Sequence, residues 1–224
     1  MARPRTPPAA SATRDRLIAA ARQEFALRGY DGAKVDRIAA RARVNKAMLY
    51  YHFHSKTELY RSILLEQFSG VATAVSAVRQ AGGAPEAQLR RFIETVAERG
   101  LSHPHFPPMW LREIADGGRH LSPPIVGQMK TVVGTLAAIL ADGCAAGVFR
   151  PVNPFVTQVG IVGPLLFFMA TEPVRERFHN LAPSEVIGAG RNEVVAHVIA
   201  TTLAAVAASP ARPFQESTSR RERP

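Results

Sequence analysis

Cysteine is nearly absent from this 224-residue chain: Cys144 stands alone. An intrachain disulfide and a metal site built of cysteines are therefore excluded. Long hydrophobic runs are lacking too. No 18 consecutive residues are apolar, and the run near Val159 to Ala170 is short and broken by Pro164, so no membrane span is expected. Arg3 and Arg5 are not followed by an apolar signal core, and the cytoplasm is the expected compartment. The usual marks of catalysis are missing: no Gly-x-Ser-x-Gly, no phosphate-cradling Gly-rich loop and no Cys/His cluster. His103-Pro104-His105 offers two imidazoles without a third ligand. Neither an enzyme, a metal nor a cofactor is expected. Strand alternation is also lacking, so the chain is expected to be all-α, with about nine helices.

What is present is positive charge, unevenly spread. The net charge is +10. Residues 1–60 hold 12 Lys/Arg against 5 Asp/Glu, residues 61–208 hold 12 against 11, and residues 209–224 hold 4 against 2. Such an excess at one end is the footprint of a module that meets phosphates.

The charge coincides with a pattern. Val35, Ile38, Ala39 and Ala42 lie on one helical face. Arg43-Val44 interrupts it, and Asn45 is a good N-cap for a second short helix from Lys46 to about Phe53. That helix buries Leu49 and Phe53 and turns Lys46, Ala47, Met48, Tyr50, Tyr51 and His52 elsewhere. Ser55-Lys56-Thr57-Glu58 is a capping box that opens the next helix. Helix, short turn and helix with a polar and aromatic outer face is the layout of a DNA-reading helix-turn-helix.

Val44-Asn45-Lys46-Ala47-Met48-Leu49-Tyr50-Tyr51-His52-Phe53, followed by Ser55-Lys56 and preceded by Gly29 to Ala39 (GYDGAKVDRIA), resembles the recognition signature of the tetracycline-repressor (TetR) family of transcriptional regulators. The match runs from about Thr13 to Leu64. Three positions depart from it: Arg43 stands where the family has a turn glycine, Lys34 where a Ser or Thr caps the first helix, and Met48 where a small or hydroxylated residue is common. The resemblance implies an N-terminal three-helix DNA-binding domain and a C-terminal helical ligand-binding and dimerisation domain. It places Lys46, Met48 and Tyr50 at base edges, with Ala47 on the same helix, and Tyr51, His52 and Lys56 on phosphates. Lys34, Arg37, Arg43 and Asn45 complete the expected DNA-binding set, with Arg41 a further backbone contact.

The rest of the chain divides at helix signals. Residues 1–10 form a Pro-rich basic arm, expected to be disordered, which either reaches a minor groove or has no role. Residues 11–60 form the DNA-binding domain. They begin with a helix capped at Ser11 or Thr13 and ended by Gly29, with Leu17, Ile18, Ala21 and Phe25 inward. A fourth helix of about 24 residues, roughly 36 Å long, runs from Lys56 to Gly82-Gly83 and bridges to residues 61–208, the ligand-binding and dimerisation domain. Helices are expected from Pro85, Met109, Ser122 and Asn153, and a last one from Pro183-Ser184-Glu185 to about Ala208. Residues 209–224 are expected to be a disordered tail.

Two apolar faces, Val159, Val162, Gly163 and Leu166 on one helix and Val194, Val195, Val198, Ile199 and Thr202 on another, are candidates for a homodimer interface; the alternative is that they close the chain's own core. A ligand pocket is expected among Phe92, Val96, His103, Met109, Trp110, Glu113, Val133, Leu136 and Phe167, suited to a small apolar or aromatic effector. The resemblance thus implies a ligand-responsive regulator, most often a repressor, bound as a homodimer to a near-palindromic DNA operator. The alternative is a sequence-tolerant DNA-binding protein without an effector.

Overall fold

The structure, a computed structural model, describes residues 8–178 and 188–208. Ten α-helices lie among the described residues: α1 (Pro8–Gly32), α2 (Val35–Ala42), α3 (Lys46–Phe53), α4 (Lys56–Ala81), α5 (Pro85–Leu101), α6 (Phe106–Ala115), α7 (Pro123–Ala145), α8 (Pro154–Ala170), α9 (Glu172–Phe178) and α10 (Arg191–Val206). The pairing of Phe149 with Ala207 is an isolated bridge, and there is no strand among these residues. The all-α expectation holds. The start of the last helix at Pro183-Ser184-Glu185, most of the basic arm and the tail from Ser209 lie outside the described residues.

Two hydrophobic cores organise the chain. The first gathers Leu17, Ala21 and Phe25 of α1, Ile38 and Ala42 of α2, Leu49 and Phe53 of α3, and Leu59, Ile63 and Leu64 of α4, and draws in Met109 of α6 and Ile125 of α7. The second gathers Val75 of α4, Leu89, Phe92 and Ile93 of α5, Leu136 and Ile139 of α7, Ile161 and Leu165 of α8, and Val198 and Ile199 of α10. Both α4 and α7 put side chains into each. The 26 residues of α4 span about 39 Å, so its two ends sit in different packing environments.

Two boundaries differ from the sequence reading. Helix α1 does not stop at Gly29: that residue takes φ 68°, ψ −178°, and the chain resumes one more helical turn to Gly32. Glycine tolerates the left-handed φ that produces this kink, and the Arg112 side chain lies 3.3 Å from where a Cβ would stand. Helix α9 has no counterpart among the expected helices; it leaves α8 at a bend of 48°. The buried face of α7 is Ile125, Val132, Leu136, Ile139, Leu140 and Gly143. The Phe149 ring packs onto Gly143, where a Cβ would sit 1.9 Å from a ring carbon. By length and composition α7 could also cross a bilayer, yet it lodges its apolar face in both cores.

Candidate nucleic-acid interface

The turn between α2 and α3 forms without its glycine. Arg43 adopts φ 54°, ψ 47°, the left-handed region. Its N–H donates to the Ala40 carbonyl at 3.1 Å, and the Val44 N–H donates to the Ala39 carbonyl at 3.0 Å. This bond pair closes a helix in a Schellman motif, so the turn geometry survives and the cost is carried by the Arg43 backbone. Lys34 sits at the N-cap of α2 with extended backbone and no side-chain cap. Asn45 does cap α3: its Oδ1 accepts from the Ala47 N–H at 2.9 Å.

Leu49 and Phe53 hold α3 down, and the other face points out. Tyr51 is 72% exposed and Tyr50 43%. Lys46 and Ala47 are exposed, and Met48 is half-buried. The Lys46 ammonium lies 2.9 Å from the Asp36 carboxylate of α2, and that hydrogen bond raises its pKa. His52 is wedged between the Tyr51 and Phe53 rings, and its Nε2 is enclosed with no hydrogen-bond partner. Ser55 caps α4, accepting from the Glu58 N–H at 3.0 Å, while the Glu58 carboxylate turns to Arg61 at 3.1 Å. Lys56 lies with its ammonium 4.4 Å from the Tyr30 ring centroid. Burial lowers its pKa, against the pull of Asp31.

Charges behind this surface are tightly paired. Glu24 of α1 is 1% exposed and faces Arg28 at 3.0 Å, Arg37 at 3.7 Å and Arg41 at 3.8 Å. Arg37 and Arg41 thus neutralise a buried carboxylate while keeping part of each side chain in solvent. Nothing in the sequence pattern singles out Glu24; one acidic residue on the inner face of an otherwise apolar α1 is the available signal.

The expected ligand residues do not converge on one place. Phe92 and Leu136 are fully buried in the second core, with Val96 packed on its edge and Val133 half-buried on α7. Phe167 is 67% exposed. Trp110 stacks on Phe106 and meets Phe68 edge-on. Glu113 is buried and binds His120, accepting from its backbone N–H at 2.7 Å and facing its Nδ1 at 2.8 Å. His103 and Met109 do meet, in a cavity of about 150 Å³ beneath α6 that is also lined by Arg22, Ile63, Gln67 and His105.

Several side chains of α6 and the loop after it bind the helix-turn-helix unit directly. Arg112 donates to the Ala26 carbonyl of α1 and Arg119 pairs with Asp31. The His120 ring lies against Tyr30, centroids 3.9 Å apart and planes tilted by 41°, and the His120 carbonyl accepts from Arg61 Nε of α4 at 3.2 Å. Asp31 and Arg119 escape the sequence reading, because the partners are joined only by the fold.

Burial removes three residues from the expected dimer faces. Val198, Ile199 and Thr202 point into the chain's own second core, since α10 needs one apolar face to dock on α5 and α8. Val162, Leu166, Val194 and Val195 are half-buried. Val159 and Gly163 are exposed, in a stripe with Phe155, Val156, Gly160 and Phe167 along α8. Beside it the outer face of α10 shows Ala196, His197, Ala200 and Ala204.

Comparison with known proteins decides what this arrangement belongs to. Residues 17–63 match the profile of bacterial regulatory proteins of the tetR family. Residues 85–198, half of the chain, match the tetracyclin repressor-like C-terminal domain. This chain belongs to the TetR family. It is similar to the HTH-type transcriptional repressor NicS of Pseudomonas putida, 30% identical over 143 residues that cover 63% of this chain and 68% of that one. It is 27% identical to the HTH-type transcriptional regulator RutR of Escherichia coli K12 over 146 residues, 65% and 68% of the two chains. Among solved structures, the TetR regulator PfmR of Thermus thermophilus superimposes with a TM-score of 0.66 at 27% identity, covering 85% of this chain and 98% of that one. A tetR-family protein from Rhodococcus RHA1 shares the fold at TM-score 0.72 and 21% identity, covering 92% and 100%. As a TetR-family member the chain is a DNA-binding transcriptional regulator and not an enzyme.

Proposed function

We propose that this TetR-family chain is a homodimeric repressor, bound to a near-palindromic operator and released when a small effector binds. The observation that carries the reading is the direct bonding of α6 and its following loop to α1 and α4. Arg112, Arg119 and His120 tie the segment that borders the cavity to the helices that seat α3. A displacement of α6 therefore alters the support of the recognition helix. Release follows if the effector binds the displaced state more tightly than the DNA-competent one.

On this reading the DNA-binding domain comprises residues 11–60, and the boundary with the effector and dimer domain, residues 61–208, falls inside α4. Tyr50, Lys46 and Met48 approach base edges, while Tyr51, His52, Arg43 and Lys56 contact phosphates. Two recognition helices enter successive major grooves about 34–36 Å apart. The second copy seats on the exposed stripe of α8 and the outer face of α10, where Gly160, Gly163 and the alanines let backbones approach closely. The protein works in the cytoplasm, where chromosomal DNA is exposed to it.

The test is fluorescence anisotropy against DNA from upstream of the protein's own gene and a scrambled control, at roughly 50 and 200 mM salt, with light scattering for oligomeric state. Preference of about a thousandfold for one sequence, lost in Tyr50→Ala, is the expected result. If random-pool selection also yields no preferred sequence and binding to all DNA is equal and salt-sensitive, the reading fails in favour of sequence-tolerant binding.

A further inference from the structure

We propose that the cavity beneath α6 is the effector site and that it takes a small carboxylate whose apolar body is no larger than one ring, an assignment that rests on the regulator reading above. The second core is filled by its own side chains, with Leu89, Phe92, Ile93, Leu136 and Ile139 fully buried. The space lies instead at the junction of the two cores, with walls from α1, α4, α6 and the connection that precedes α6.

Size sets the body of the ligand. The cavity measures about 150 Å³, and a cavity of that order accepts a benzene-sized molecule. Chemistry sets its charge. Arg22 supplies a guanidinium, whose planar fork matches a carboxylate. Ile63, Phe106 and Met109 supply apolar walls, and no carboxylate is among the lining residues. His105 is pushed below its ordinary pKa by burial and then by the Arg22 charge, so at neutral pH it is an uncharged donor beside a fixed cation. Arg22 is already paired with Glu66 at 2.7 Å, but Glu66 is 53% exposed. Arg22 itself is 26% exposed, so only the Glu66 side of the pair is open to solvent, and that solvent-facing partner can exchange for a ligand carboxylate. Gln67 is committed to the Arg99 carbonyl at 3.4 Å and His103 Nδ1 to the same carbonyl at 3.0 Å, so Arg22, on exchanging Glu66 for the ligand, is the lining cation that sets the charge preference.

The site carries its own reporter. Phe106 lines it and stacks at 7° on Trp110, the sole tryptophan. Full-length protein is titrated with benzoate and with its neutral isostere benzamide, followed by Trp110 fluorescence and by calorimetry, and by operator anisotropy in parallel. Benzoate is expected to bind saturably, at least about tenfold more tightly than benzamide, and to lower operator affinity. Arg22→Gln removes the preference while leaving benzamide unchanged; Arg22→Lys retains part of it and guards against a folding defect. No saturable benzoate binding, equal binding of the two probes, an unchanged preference in Arg22→Gln, or benzoate binding without loss of operator affinity would each overturn the assignment. Failure of ligand-free protein to select any DNA sequence would instead overturn the regulator reading.

Discussion

The two cores differ in what surrounds them. Around the first, ion pairs join elements: Glu24 of α1 with Arg37 and Arg41 of α2, Asp36 of α2 with Lys46 of α3, and Asp31 of α1 with Arg119 of the loop after α6, while Arg28 pairs with Glu24 inside α1. Around the second, Arg79 of α4 pairs with Asp142 of α7 and Arg191 of α10 with Glu172 of α9, but apolar surface is also left over, and α8 exposes Phe155, Val156, Val159 and Phe167. At the helix-turn-helix end, α2 has one apolar face, which is core, and an outer face of Asp36, Arg37, Ala40 and Arg41 open to solvent, to which α3 adds the exposed Tyr50 and Tyr51. A helix such as α8 or α10 has an inner apolar face that is core and an outer face, apolar or small, that is open. Surface chemistry thus separates an end that meets a charged polymer from an end suited to another protein.

The largest effect that would break this contrast is on α10. Ile199 is 4% exposed while the next residue, Ala200, faces out. Ile199→Ala is expected to destabilise folding by about 2–5 kcal/mol, read as a shift in the urea midpoint. Ala200→Glu is expected to leave helix content unchanged and to convert dimer to monomer in light scattering, as is Val159→Glu on α8. If Ala200→Glu and Val159→Glu both remain dimeric, the outer faces are not where the copies meet.

A smaller effect is expected at the joint between the cores. The buried Glu113 carboxylate binds both the backbone N–H and the ring of His120. Glu113→Gln keeps the shape and loses the charge-assisted bonds, so a loss of about 1–3 kcal/mol is expected. Because His120 also holds Tyr30 and Arg61, the variant should change operator affinity as well as stability, measured by anisotropy below the unfolding range. Stability falling with operator affinity untouched would make the pair a packing element alone.

The same contrast explains what the sequence disclosed. In α2 and α3 the inner positions Ile38, Ala42, Leu49 and Phe53 and the caps Asn45 and Ser55 were all legible, because each depends on neighbours within a few residues. On α10 the apolar string Val194 to Thr202 was legible, but its side was not: core and partner faces use similar residues, and periodicity does not say which is which. On α7 the burial of Gly143 was not legible, because Phe149, on the following loop, packs where its Cβ would stand. The cavity was half legible. His103 and Met109 sit near the break before α6, but Arg22 arrives from α1, far earlier in the chain, and only tertiary packing brings it there.

The smallest expected effect is at Arg43, where the DNA-binding end departs from its own local rules. A side chain in the left-handed region costs about 1–2 kcal/mol relative to right-handed backbone, a cost that glycine does not bear. Arg43→Gly should therefore raise stability by about 1 kcal/mol or less, because glycine also gains freedom in the unfolded chain, with the turn bonds to Ala39 and Ala40 kept. If the exposed guanidinium meets a phosphate, the same change should weaken all DNA sequences alike and reduce the slope of log affinity against log salt by about one. The two readouts move in opposite directions, so the variant separates backbone strain from charge. Gain in stability with no change in salt slope would mean that Arg43 serves no phosphate and is simply tolerated in the turn. Loss of stability would mean that its side chain contributes packing that outweighs the strain. Gain in stability together with a shallower slope would identify strain retained in the fold for the sake of a DNA contact.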